Sequence, residues 1–155
     1  MDYRKTYETL LQKQCDNYQE ILYLLTQISA CDEDLLKCSN MAEPDTDKLH
    51  SITIQKEHLI EGLDALSLDT EHAKFQLCDI LEVCCDISLH PFYQRMEQLH
   101  ELARTELQAL LDKEDQNNPT ITNRLTAYKE RLETDIKIRE IPMEKRKIFF
   151  VFPQK

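Results

Sequence analysis

Glycine is nearly missing from this chain: Gly62 is the only one in 155 residues. Ordinary usage is about 7%. Tight turns, hairpins and phosphate-cradling loops depend on glycine, so its scarcity argues against a β architecture and a nucleotide-binding loop together. Neither a P-loop nor a GxGxxG motif occurs. Tryptophan is absent, and with 41% hydrophobic residues the expected core is a thin leucine-rich seam rather than a thick centre. There is no run of about 18 apolar residues to span a membrane. Met1-Asp2-Tyr3-Arg4-Lys5 runs straight into a polar helix pattern, without the apolar centre of a signal peptide. The expectation is therefore a cytoplasmic protein without membrane insertion.

Positive charge is also scarce. Lysine and arginine number 19 against 29 acidic residues, for a net charge of −10. The balance is uneven. From Lys137 to Lys155 six basic residues face two acidic ones, leaving 13 against 27 in the rest of the chain. An acidic body repels nucleic-acid phosphates, so DNA or RNA is not an expected partner.

Six cysteines are present, at positions 15, 31, 38, 78, 84 and 85. In a cytoplasmic protein they are reduced thiols. No C-x₂₋₄-C knuckle occurs, and the five histidines (His50, His58, His72, His90, His100) form no H-E-x-x-H motif. The cysteines read as core packing, the histidines as helix-surface or helix-flanking residues. No metal, cofactor or catalytic arrangement is expected, and the chain reads as non-enzymatic. A Cys/His metal or redox protein, drawing on Cys78, Cys84, Cys85, His72 and His90, is the least favoured alternative.

What the chain does have is a seven-residue apolar repeat. Counted from Leu49, the a positions are Leu49, Lys56, Leu63, Thr70, Leu77 and Cys84. The d positions are Ile52, Leu59, Leu66, Ala73, Ile80 and Ile87. The phase never slips, which predicts one long helix with a coiled-coil seam. Ser67 to Thr70 is the weakest place in it. The preceding stretch, Asp2 to Ser39, repeats the pattern with Tyr7, Gln14, Ile21, Ile28 and Leu35 at a, and Tyr3, Leu10, Asn17, Leu24, Cys31 and Cys38 at d. Leu11, Tyr18 and Leu25 widen this stripe at e, as for a helix with more than one neighbour. Gln14 and Asn17 put two amides into the seam, where buried polar residues fix register.

Pro44 disfavours helix at Glu43, and Asp45, Thr46 or Asp47 can cap the helix that follows. A short link between two long amphipathic helices predicts an antiparallel hairpin over residues 2–87. Its seam is expected to hold Leu10, Ile21, Leu24, Ile28, Leu49, Ile52, Leu59, Leu63, Leu66, Leu77 and Ile80. Pro91 opens a third helix with Phe92, Met96, Leu99, Leu102, Ala103, Leu107, Leu110 and Leu111 as its stripe. Asn118-Pro119 opens a fourth with Ile121, Leu125, Tyr128, Leu132 and Ile136. The expected fold is all-α: a coiled-coil-like helical hairpin with additional C-terminal helices over 91–139. Residues 1–140 form one helical domain and 141–155 a basic, aromatic tail. In the tail, Ile148 to Phe152 is a β-prone apolar run between Lys145-Arg146-Lys147 and Pro153. It docks on the chain's own helices or belongs to a partner.

The first half resembles the flagellar type III export chaperones of the FlgN kind, with the FliT kind close behind. The residues that carry this are Tyr3, Tyr7, Leu10, Leu11, Tyr18, Ile21, Leu22, Leu24 and Leu25. With them goes the acidic link into Asp47-Lys48-Leu49, Ile52, Lys56-Glu57, Leu59-Ile60, Leu63 and Leu66. The match covers Met1 to Leu68, and the C-terminal tail departs from the family pattern. The resemblance implies a small cytoplasmic chaperone without ATPase activity. Its partners would be the helical ends of hook–filament junction proteins, and the export gate. It implies that the C-terminal helical region takes the client, here through Ile121, Leu125, Tyr128, Leu132 and Ile136, with Tyr128 matching a family tyrosine that contacts the gate. Ordinary packing of the fourth helix on the hairpin explains the same stripe. The same periodicity also suits a structural adaptor that homodimerises through the seam.

Overall fold

The computed structural model describes residues 3–81, 91–114 and 119–137. All regular structure among them is helical: α1 (Tyr3–Ser39), α2 (Thr46–Leu81), α3 (Pro91–Lys113) and α4 (Pro119–Lys137). The protein is all-α, as the periodicity predicts, with two helices beyond the hairpin. Residues 82–90, with Cys84, Cys85 and Ile87, and the tail run 148–152 lie outside the described residues. None of the four described helices is long and apolar enough to cross a membrane.

Local chemistry sets the helix ends. Of the three residues able to cap α2, Asp45 does it. Its Oδ1 accepts from the backbone N–H groups of Asp47 and Lys48, both at 3.1 Å. This satisfies two donors that an open first turn would leave unpaired. At the end of α1 the Asn40 N–H reaches the Leu36 carbonyl at 3.1 Å, closing the last turn. α2 runs unbroken through Ser67 and Thr70. There the Thr70 hydroxyl bonds back to the Leu66 carbonyl at 2.5 Å, so its polar group is met without leaving the helix.

Contacts between side chains give the packing directions. Gln14 of α1 meets Thr70 of α2, and Asp32 meets Lys56, so α1 and α2 run antiparallel. The Cys15 thiol faces the Phe92 carbonyl and Tyr18 meets His100, so α3 runs along α1 in the same direction. Asp64 pairs with Arg124 and Ser67 with Arg131, setting α4 parallel to α2, while His100 meets Leu132 across the antiparallel pair of α3 and α4. Each helix therefore has two main neighbours, in the order α1, α2, α4, α3.

The two-neighbour arrangement explains which faces are buried. On α1 the e positions Leu11, Tyr18 and Leu25 are sealed at 0–2% exposure, whereas the d positions Leu10 and Leu24 are only partly covered. α2 does the same, burying Ile60 and Ser67 at e along with Leu63 at a. A two-stranded seam needs only a and d; a four-helix core needs the wider stripe. Three clusters result. The largest joins all four helices. A second, around Leu11, Leu77 and Tyr93, lies toward the start of α1. A third, around Cys31, Cys38 and Ile52, closes the α1–α2 turn.

Candidate helix-binding groove

The fourth helix carries its apolar residues on one face. Ile121, Leu125, Tyr128 and Leu132 are spaced four, three and four apart, the interval that keeps side chains on one stripe. All four are 1–4% exposed. They enter a groove made by Tyr18, Ile21, Leu25 and Ile28 of α1, Ile60 and Leu63 of α2, and Ala103, Leu107 and Leu110 of α3. In this structure the stripe implied as a client face is thus the packing face of α4 on its own neighbours. Ile136 also lies in α4, but its side chain is outside the described residues.

Polar contacts line both edges of the groove. On the α2 edge the Arg124 Nη2 donates to Asp64 Oδ2 at 2.5 Å, and Arg131 Nη1 to the Ser67 hydroxyl at 3.1 Å. On the α3 edge a His100 Nε2–H donates to the Leu132 carbonyl. A carbonyl can only accept, so this contact fixes the proton on Nε2. The Tyr18 ring stands edge-on to the imidazole, with centroids 5.5 Å apart and planes at 86°. Edge-to-face geometry of this kind is the favoured aromatic arrangement.

His100 corrects the expectation that the histidines lie at helix surfaces. It is 2% exposed and central to the site. His50, His58 and His72 do sit at the surface, and His90 is outside the described residues. The third-helix stripe is corrected with it. Phe92 and Leu102 are 36% and 53% exposed, while Tyr93 and His100 are buried. The inward series is Tyr93, Met96, His100, Ala103, Leu107 and Leu110, which holds helical spacing only if the imidazole counts as a core residue.

The expected seam residues spread over the three clusters. Ile21, Ile28 and Leu63 are sealed in the main one, with Leu24, Leu59 and Leu66 packed partly buried against it. Leu77 and Leu10 belong to the second, and Ile52 and Leu49 to the third. Ile80 lies in α2 with its side chain outside the described residues. Sequence reasoning missed Ile60, Ser67 and Tyr93. The first two sit at e positions, where a widening like that of the first helix was the available signal.

Beyond one end of the groove, Lys56 is buried between Asp32 Oδ1 at 2.6 Å and Glu114 Oε1 at 2.5 Å. Burial works against its charge, but hydrogen bonds to both carboxyls outweigh this and hold the ammonium above its usual range. The thiols of Cys15, Cys31 and Cys38 are all buried and unbonded to one another. Burial pushes Cys15 up, against the nearby Arg95; burial and the adjacent Asp32 push Cys31 up. Among the described residues no group of three His, Cys, Asp or Glu side chains is placed to hold a metal ion. No family model, curated protein or solved structure matches the chain.

Proposed function

We propose that the chain is an export chaperone of the FlgN kind, which holds an amphipathic helix of its client in the groove now filled by α4. One observation carries the reading. Three helices form a trough, and a 19-residue amphipathic helix lies in it through four buried side chains, with hydrogen bonds at both edges. A helix laid into an apolar groove and read at i, i+4, i+7 and i+11 is an established mode of peptide recognition. The client segment is then a helix with the spacing of Ile121, Leu125, Tyr128 and Leu132, and arginines where Arg124 and Arg131 stand. The resemblance of the first two helices supplies the client class, the helical ends of hook–filament junction proteins. It also supplies the cytoplasmic setting and the handover to an export gate. A seam-driven dimeric adaptor has less support, because the stripes of α1 and α2 are covered within one chain by α3 and α4.

The test is capture of hook–filament junction proteins by the full-length chain, with and without an excess of a peptide spanning 119–137. The reading expects capture that the peptide reduces. No capture removes it, and capture indifferent to the peptide moves the client elsewhere on the surface. Light scattering over a concentration series separates the adaptor: the chaperone is a monomer that gains mass with its client, the adaptor a dimer without one.

A further inference from the structure

Lys56, Asp32 and Glu114 come from three separate segments, α2, α1 and the residue just after α3. Lys56 and Glu114 side chains are each 4% exposed and Asp32 is 20% exposed. One ammonium faces two carboxyls. With both ionised, the cluster would carry an uncompensated negative charge where water has little access, an arrangement protein interiors avoid. The second oxygens tell the same story. Asp32 Oδ2 and Glu114 Oε2 are buried, and neither meets a donor among the described residues. One proton relieves both faults: it turns a carboxylate that can only accept into a carboxyl that also donates, and brings the cluster to neutrality.

We infer that the folded chain takes one proton from solvent onto Glu114, shares it toward Asp32, and so makes the contact pinning the end of α3 to the hairpin a proton-dependent latch. Burial raises the Glu114 carboxyl above the ordinary 4.5; the Lys56 hydrogen bond and charge oppose this, and the Asp32 charge and the hydrogen bond that a protonated Glu114 can give Asp32 add to it. The facing groups are accounted for on each helix. α2 presents Lys56, and α1 presents Asp32 with the buried Cys31 thiol beside it. On the segment's own helix Lys113 is exposed. Arg124, the first charged residue of α4, is engaged with Asp64 instead. Because the folded value lies above the unfolded one, the stabilisation is complete below the ordinary carboxylate range and is lost as pH rises through the folded value. Within that window the unfolding constant rises by up to about tenfold per pH unit.

The test compares urea unfolding of the wild type and Glu114→Gln from about pH 4.5 to about pH 9. A glutamine amide donates to Asp32 and accepts from Lys56 without titrating. The expected result is equal stability at the acid end. The wild-type unfolding constant then gains on that of the variant with rising pH, by up to about tenfold per unit. A ratio flat across the range overturns the latch. Carbon-13 titration of the Glu114 carboxyl in the wild-type chain gives an independent answer should the variant fail to fold. Ionisation at the ordinary carboxylate value overturns the inference, and ionisation above it upholds it.

Discussion

Replacing Gly62 by alanine tests how closely the first two helices approach. Glycine inside a helix costs about 1 kcal/mol relative to alanine, because the unfolded chain loses more freedom when it folds. The backbone at Gly62 gives no reason to keep it, since no described residue has a positive φ. A Cβ there would meet only the Leu24 side chain, at 3.4 Å from Cδ1 and 3.9 Å from Cδ2. Those are ordinary van der Waals distances, and the partner is the free end of a side chain that is itself only partly buried. Gly62→Ala should therefore gain the helix term of about 1 kcal/mol and a little dispersion energy. For a chain of this size that raises Tm by about 2–4 °C. Urea unfolding followed by far-ultraviolet circular dichroism measures it, with an unchanged m-value showing that the surface exposed on unfolding is the same in both chains. A second measurement locates the effect. In the Leu24→Ala background the contact is gone, and the gain should fall back to the helix term alone. Destabilisation by about 1 kcal/mol or more would mean that α1 and α2 lie closer than these distances state.

Four other substitutions or treatments probe the same frame. Gln14 donates to the Thr70 carbonyl at 3.1 Å, but its Oε1, like the Nδ2 of Asn17, is buried without a partner among the described residues. Gln14→Leu with Asn17→Leu should then stabilise by about 1 kcal/mol in urea melts and leave the mass read by light scattering unchanged; unfolding would refute it. Leu125→Ala, at a side chain 1% exposed in the shared core, should cost about 2–5 kcal/mol in the same melts. Lys56→Met strands Asp32 and Glu114 without their cation and should cost about 3–5 kcal/mol, against a small effect if the cluster were merely decorative. Alkylation at mildly alkaline pH, followed peptide by peptide in mass spectra, should find Cys15 and Cys31 slow in the folded chain and fast in urea, since burial raises both thiols.

The heptads alone make the helices legible, and they place even polar residues correctly. Lys56 and Thr70 interrupt the apolar a series of α2, yet both are buried where the phase puts them. What the phase could not supply was their partners. Lys56 is held by Asp32, an e position of α1, and by Glu114, 58 residues further on. No local period connects those three. His100 shows the same limit. Its neighbours at Met96, Ala103 and Leu107 hold helical spacing, but a polar ring at that place reads as surface until its hydrogen bond to Leu132 is known. The stripe of α4 was readable as a stripe, while its occupancy was not. Ile121, Leu125, Tyr128 and Leu132 have the same sequence signature whether they face a client or their own chain, because the two alternatives bury the same side chains by the same physics. The contacts that separate those alternatives lie at the edges. The Arg124–Asp64 pair leaves both side chains about a third or more exposed, and a pair that open to solvent contributes little. The His100–Leu132 contact is fully enclosed. Exchange of α4 for another helix can therefore give up the arginine contacts cheaply, but the incoming backbone must still offer a carbonyl to His100. His100→Ala should thus weaken docking of both the chain's own helix and any client, whereas Arg124→Ala should favour the client only slightly, by removing a weak contact of its competitor alone. In the peptide-competition assay Arg124→Ala should raise capture slightly, while His100→Ala, which costs occupant and competitor alike, should leave it near the wild-type level; a fall in Arg124→Ala or a clear rise in His100→Ala would show that the groove does not exchange its occupant.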